Sequence, residues 1–208
     1  MKLIRPLLLF LICSYGVAAQ TDLGIWYNYK INTKFSDKWS FNGNYQLRSL
    51  NNIDFDNEQT MLANGFSYTV SPNLTFGAGH RYLKFEGVFL EHGMYQSAAI
   101  KSSLNKLKIT NRFTMEERWI NGGFQMRYRA GIDLGVPLSD KIELVFSEEV
   151  FLINKNSSFE QNRVILKANY QISDALKLTT GVMHWQFSNL KRWATLLTLT
   201  HSLDLRKK

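Results

Sequence analysis

Charged side chains recur at every second position through the middle of the sequence. Arg127, Arg129 and Asp133 alternate with the apolar residues Tyr128 and Ile132. The equivalent polar positions of the neighbouring segments, and of two earlier ones, add Arg48, Arg81, Arg112, Glu116, Arg118, Glu143, Ser147, Glu149, Gln161, Arg163 and Lys167. Arginine binds carboxylates and phosphates through paired hydrogen bonds. The set could therefore form an internal ion-pair network or line a path for anions.

The same residue types give little support for catalysis. Glu116 and Glu149 could act as paired carboxylates, but nearby arginines would hold both of them ionised. His201 and Ser202 are adjacent, so in a strand they point to opposite faces and cannot form a nucleophile–base pair. No metal-ligand spacing is present in the sequence. We expect a protein that is not an enzyme and that uses no metal or cofactor.

Alternation with a period of two predicts β-strands, each with one apolar and one polar face. The predicted strands run to about 10–12 residues, whereas strands of soluble proteins average about 5–6 and membrane strands need about 9–11. No segment after the first 20 residues has a convincing helical period. The pattern favours a membrane-type sheet over a soluble β-sandwich.

One turn recurs along the chain and divides it into hairpins. Its copies begin at Ser36, Ser71, Ser139 and Ser173, and a weaker copy lies at 102–106. Serine, aspartate, proline and asparagine favour turns because they preset φ or hydrogen-bond their own backbone. The other ends of the hairpins are predicted to carry longer polar connections, at Ser49–Glu58, Glu86–Gly93, Ile153–Phe159 and Phe187–Arg192.

Aromatic residues mark both ends of the apolar faces. Phe35, Trp39, Tyr68 and Tyr170 lie near the short turns. Those near the longer connections are Tyr82, Trp119, Trp193 and, as a further candidate, Phe151. Membrane β-barrels carry such aromatic girdles at both lipid–water interfaces.

The lipid penalty predicts which face looks inward. An arginine facing lipid at the midplane costs about 2–4 kcal/mol, so the charged faces should point into the barrel and Tyr128 and Ile132 toward lipid. Some polar residues occupy alternate positions that are otherwise apolar. Lys84, Glu117 and Glu148 are expected near the loop ends, whereas no such explanation covers Asn64, His80 and His201.

We predict an all-β, antiparallel, up-and-down transmembrane-type β-barrel. Eleven segments can be counted, but single-chain bacterial barrels usually have an even number of strands. The prediction is therefore 10–12 strands, with 12 preferred. Residues 1–19 are predicted to be a cleaved signal peptide and residues 20–208 a single barrel domain.

The signal peptide is indicated by Lys2 and Arg5, an apolar run from Leu7 to Val17, and small residues before Gln20. It would remove Cys13, the one cysteine of the chain. The remaining chain is basic, since Lys and Arg number 25 against 17 Asp and Glu in the full sequence. No zinc-finger spacing, RNP-like run or dense basic block indicates nucleic-acid binding.

Four short runs in a fixed order carry a resemblance to a known family. They are "MEERW" from Met115, "RYR" from Arg127, "SEEVF" from Ser147 and "FEQNR" from Phe159. Together they resemble the bacterial secreted proteins grouped as domain of unknown function 2490. The resemblance covers nearly the whole mature chain. It implies a β-barrel-like envelope protein and no known activity.

Three functions remain open from the sequence. The first is an outer-membrane barrel whose lumen is filled by an Arg/carboxylate network with a structural or ligand-interacting role. The second is a small, anion-leaning, porin-like diffusion channel. The third is a soluble periplasmic or secreted barrel that acts as a binding module. The expected partners are the bilayer and lipopolysaccharide of the outer membrane and small anionic solutes, and the oligomeric state is open.

Overall fold

The chain folds into one closed β-barrel. The computed structural model describes residues 23–49, 58–154, 158–188 and 190–206. The predicted signal peptide and Cys13 lie outside the described residues. No helix of the described residues is long and apolar enough to cross a membrane. The strands are β1 (Leu23–Lys34), β2 (Trp39–Ser49), β3 (Gln59–Ser71), β4 (Leu74–Phe85), β5 (Phe89–Leu104), β6 (Leu107–Ile120), β7 (Gly123–Pro137), β8 (Ile142–Ile153), β9 (Ser158–Ser173), β10 (Leu176–Phe187) and β11 (Lys191–Asp204).

The barrel has eleven strands, so the preferred count of twelve is wrong. Neighbours in sequence pair antiparallel around the barrel, but β1 and β11 pair parallel, in register from Leu23 with Trp193 to Lys34 with Asp204. A parallel closing pair lets an odd number of strands close without leaving an unpaired edge. It also places the start of β1 and the end of β11 at opposite ends of the barrel.

The recurrent serine turns all lie at one end, which we call the turn end. Ser36 Oγ accepts a hydrogen bond from the Trp39 amide at 3.0 Å, and Ser139 Oγ accepts one from the Ile142 amide at 3.1 Å. In the shorter turn at Ser71 the hydroxyl oxygen accepts a hydrogen bond from the amide two residues on, that of Asn73, at 3.3 Å. In these three turns the serine side chain bonds a backbone amide of its own turn, which favours serine at this position.

The opposite end, the loop end, differs from the prediction of uniformly longer connections. Strand β5 already begins at Phe89, so residues 86–88 are a short turn rather than part of a long loop. Asn121 and Gly122 join β6 to β7 with positive φ at both positions, as in a tight type I′ hairpin. β10 ends at Phe187 and β11 begins at Lys191, so the predicted longer connection Phe187–Arg192 is also short. Residues 50–57, 155–157 and 189 lie outside the described residues.

Apolar side chains cover the outside of the barrel. Tyr128 is 47% exposed on the outer surface, while its neighbour Arg127 points inward and is 6% exposed. Two placements differ from the sequence expectation. Phe151 points into the lumen and is buried, so it is not an interfacial residue. Glu148 lies in the middle of β8 rather than near a loop end, and its carboxylate accepts a hydrogen bond from Asn162 Nδ2 at 3.1 Å.

Two glycines inside the barrel make room for Tyr95. A Cβ on Gly79 would lie 2.1 Å from the Asn64 carbonyl oxygen and 2.5 Å from Tyr95 Oη, and a Cβ on Gly65 would also lie 2.5 Å from that hydroxyl. Tyr95 Oη donates a hydrogen bond to the Asn64 carbonyl at 3.2 Å. The ring thus takes the space that two side chains would otherwise fill and packs β5 against β3 and β4.

Gly79→Ala is expected to destabilise the barrel by about 1–3 kcal/mol, because the added methyl group must displace backbone atoms in a packed interior. Gly123→Ala is the matched control, since its Cβ would meet no atom closer than 3.4 Å. Unfolding in urea, followed by circular dichroism in detergent, measures both. Equal stability of the two variants would contradict this packing role.

Candidate functional site

The interior is filled at the loop end and open to solvent toward the turn end. The exposed fraction of the charged side chains falls from the turn end toward the loop-end half: Lys108 65%, Arg112 44%, Arg129 25%, Arg81 14% and Glu116 2%. A cavity of about 630 Å³ occupies the more open part, and we call it the chamber. Water and solutes therefore reach the lumen from the turn end.

A layer of ion pairs narrows the loop-end half of the lumen. We call it the charged plug, and it consists of Arg81, Glu91, Glu116, Arg118, Arg127 and Glu160. Glu116 is its centre, because three arginines converge on its carboxylate. Arg127 Nε donates to Oε2 at 2.7 Å, Arg81 Nη2 lies 3.1 Å from the same oxygen, and Arg129 Nη2 lies 3.4 Å from Oε1.

The plug's other two carboxylates extend this network. Arg118 donates to Glu91 at 2.7 Å and to Glu160 at 2.7 Å. Arg81 also bonds Glu91, and Arg127 Nη1 bonds Glu160 at 3.1 Å. Glu91 is fully buried. A buried ion is tolerated only when its charge and hydrogen bonds are matched, and here each carboxylate has at least two arginine partners.

Aromatic rings fill the loop-end half of the lumen beside the plug. The Arg163 guanidinium lies 4.5 Å from the Phe151 ring and 5.2 Å from the Trp26 ring. We call the Phe151 and Trp26 rings the aromatic layer. The Arg48 guanidinium lies 4.0 Å from the Trp26 ring. It has no carboxylate partner among the described residues; instead it donates to Gln46 at 2.6 Å and to Gln59 at 3.1 Å. Cation–π contacts and amide oxygens therefore replace an ion pair for Arg48.

All twelve residues predicted to form the lumen network point into the barrel, but they divide between three groups. The plug holds Arg81, Glu116, Arg118 and Arg127. The aromatic layer holds Arg48 and Arg163. The chamber is lined by the other six, which are Arg112, Arg129, Asp133, Glu143, Glu149 and Lys167.

The sequence analysis missed two of the plug's three carboxylates. Glu91 falls in the segment predicted as the loop Glu86–Gly93. It lies an even number of positions before the inward-facing Tyr95, so extending β5 toward its N-terminus would have placed it on the inward face. Glu160 lies beside a bulge, where the pairing of β8 with β9 shifts between Phe151 and Leu152. A bulge changes which residues face inward, so simple alternation cannot place Glu160.

Ion pairs in the chamber are longer or more exposed to solvent than those in the plug. Lys108 Nζ lies 2.9 Å from Glu143 and Lys167 Nζ lies 3.3 Å from Asp133. Asp133 is shared with Arg112 at 3.7 Å. Glu149 is likewise 3.7 Å from both Arg129 and Arg163. These carboxylates neutralise the chamber only in part.

Lys30 and Lys177 also line the chamber and form no ion pair with a described residue. Lys30 is within electrostatic range of the cations Arg112, Lys167 and Lys177 and of one carboxylate, Glu149. Together, the plug and the cavity lining carry eleven Lys and Arg side chains against six carboxylates, an excess of five positive charges. The strands that carry Lys30 and Lys177 and their neighbours also offer neutral hydrogen-bonding groups, from Asn28, Asn32, Asn44, Asn169, Thr179, Thr198 and Thr200.

The seven aromatic residues predicted at membrane interfaces lie on outward-facing strand positions or in the adjoining turn. Trp39 packs against Tyr68 with ring centroids 4.9 Å apart near the turn end, together with Phe35 and Tyr170. Trp119, Trp193 and Tyr82 lie toward the loop end. Among the described residues, no group of His, Cys, Asp and Glu side chains could hold a metal ion.

Comparisons with known proteins agree with this architecture. The family model described as "Protein of unknown function (DUF2490)" matches residues 23–195. A structure of the NanC porin is similar, with a TM-score of 0.52, 9% sequence identity, and coverage of 78% of this chain and 87% of that one. A structure of the KdgM porin in complex with disordered oligogalacturonate has a TM-score of 0.49, 11% identity and coverage of 82% and 95%. No curated protein matches the sequence.

Proposed function

The chain belongs to the DUF2490 family, and we propose that it is an outer-membrane, porin-like β-barrel that admits small anionic solutes into its cationic chamber. One observation carries the proposal: the chamber contains Lys30 and Lys177 without carboxylate partners, in a lumen with five surplus positive charges. Lumen-facing charges of one sign favour entry of the opposite ion.

An outer-membrane location is supported by the distribution of apolar surface. Large apolar side chains such as Phe66, Phe113 and Tyr128 are exposed around the outside, while the charged side chains lie within. In water this arrangement would expose an extensive apolar surface, which soluble proteins avoid. The proposed partners on this surface are the bilayer and lipopolysaccharide, reached after removal of the signal peptide at residues 1–19.

The plug and the chamber have different roles in this proposal. The plug supplies the structural function, because its ions are buried and multiply paired and narrow the cross-section at the loop end. It restricts passage beyond the chamber to small solutes. The chamber supplies selectivity. A catalytic role is not proposed, because the three arginines around Glu116 keep it ionised and unable to act as a general acid.

Replacing Lys30 and Lys177 together by glutamine is expected to slow entry of a small sugar acid several-fold and leave entry of the matching neutral sugar unchanged. The substitution removes two positive charges while retaining polar side chains of similar length. Swelling of proteoliposomes in isosmotic solutions of gluconate and glucose measures both rates.

Lys106→Gln is the control, since Lys106 lies in the exposed turn between β5 and β6 and does not line the chamber. It should leave both rates unchanged. Equal loss of gluconate and glucose entry in the Lys30/Lys177 double variant would show a change of pore size rather than of charge, and would contradict the proposal.

A further inference from the structure

A group of polar side chains interrupts the apolar outer surface of β3–β6. We call it the polar patch, and it consists of Asn64, His80, His92, Gln96 and Glu117. The barrel register makes the group continuous. Asn64 is paired with His80, Gln96 is paired with Ala78 beside His80, and Glu117 is paired with Met94 between His92 and Gln96. The ring centroids of His80 and His92 are 6.0 Å apart.

The patch extends from the loop-end part of the strands, at His92 and Glu117, to their middle, at Asn64, His80 and Gln96. His80 is the seventh of the twelve residues of β4, and Asn64 is the sixth of the thirteen residues of β3. Both side chains are exposed on the outside, as are His92 and Gln96. Lipid hydrocarbon offers no hydrogen-bond partner, so polar groups at this height are costly unless another molecule satisfies them.

Several other polar side chains on the outer face have partners within the chain. Asn162 donates to Glu148 at 3.1 Å, the Tyr29 hydroxyl lies 3.5 Å from His201 Nδ1, and His184 packs on Trp193 at 4.9 Å between ring centroids. By contrast, no described residue forms a hydrogen bond with the side chain of Asn64, His80, Gln96 or Glu117. The polar patch is therefore incomplete in a single copy of the barrel.

We propose that the polar patch is the contact surface for a second copy of this chain. Asn, Gln and neutral His each carry both a donor and an acceptor, so the same patch on a copy related by a two-fold axis can satisfy them. The patch also carries an acid, Glu117, beside two imidazoles, so its charges complement those of its own copy. Ala78 and Ala98 are the small outward residues beside Gln96, and they allow close approach of a second sheet.

Thiol cross-linking tests the contact without depending on solute passage. Residues 20–208 contain no cysteine, so Gln96→Cys introduces a single thiol in the patch. Leu166→Cys is the matched control, because Leu166 is also exposed on the outside, on β9 in another part of the wall. Both variants are treated in isolated membranes with a short bis-maleimide, and the products are separated under reducing conditions and weighed by mass spectrometry.

A product of twice the chain mass is expected with Gln96→Cys, in several-fold higher yield than with Leu166→Cys. The triple variant N64L/H80L/Q96L, analysed by native mass spectrometry in detergent, should be folded and monomeric where the unaltered protein is dimeric. Equal yields from the two cysteine variants, an adduct of any other mass, or a monomeric unaltered protein would overturn the proposal.

Discussion

Replacing Glu116 by glutamine is expected to lower the free energy of unfolding by about 3–5 kcal/mol, the cost of removing one partner from a buried ion pair. The Glu116 carboxylate is 2% exposed and lies within 3.4 Å of Arg81, Arg127 and Arg129. Glutamine keeps the shape but removes the charge, so three guanidinium groups lose their shared counter-ion in a space that water barely reaches. Urea unfolding in detergent measures the change.

Glu143→Gln provides the matched control at the other end of the lumen. Glu143 also pairs with a cation, Lys108, but their side chains are 27% and 65% exposed. An exposed pair contributes about 0–1 kcal/mol, so this variant should unfold nearly as the unaltered protein does. If both substitutions produced the same small change, the plug would be hydrated and its structural role would be wrong.

Tyr128→Arg should prevent most of the chain from reaching the folded, membrane-inserted state. The side chain lies on the outer face of β7, between the apolar residues Leu152 of β8 and Met115 of β6, so a new cation there has no counter-ion across the pair. An arginine on the lipid face costs about 2–4 kcal/mol near the midplane, a large part of the stability of a typical domain. The measurement is the amount of heat-modifiable protein recovered in the outer-membrane fraction.

Thr110→Arg adds the same side chain to the inside of the neighbouring strand. Thr110 lines the chamber and is paired with Asp133, so a new cation there meets water and a carboxylate. It should assemble normally. Gln125, an inward residue of β7, is a poorer control because its side chain accepts a hydrogen bond from Arg118 at 2.9 Å. Equal recovery of the Tyr128 and Thr110 variants would mean that the outer face does not contact lipid.

The period of two was enough to predict the closed barrel and the inward direction of its charged side chains. Alternate residues of a strand face two different environments, so the outer wall and the lumen favour different residue types at alternate positions. The twelve predicted lumen residues are on the inside for this reason. The family resemblance, carried by the runs around Glu116, Arg127, Glu149 and Arg163, is likewise confirmed.

Alternation could not predict features that depend on pairing between distant strands. The strand count was wrong because an even number was preferred on precedent, whereas β1 and β11 close the barrel in parallel. Glu160 was missed because the bulge at Phe151 and Leu152 is set by the β8–β9 register. Glu148 was expected near a loop end, although it is the seventh of the twelve residues of β8. Periodicity also does not give the position of a side chain along the barrel axis, so it could not separate the plug from the chamber.

The sign of ion selectivity tests the central claim, that surplus cations in the chamber select anions. The reversal potential across a planar bilayer under a KCl gradient measures it. The plug limits the current, so Phe151→Ala is measured beside the unaltered protein, since it removes a buried ring packed among Arg127, Arg129 and Arg163. We expect chloride preference in both, larger current in Phe151→Ala, and a shift toward zero when Lys30 and Lys177 become glutamine. Potassium preference, or no current from either protein, would contradict the account.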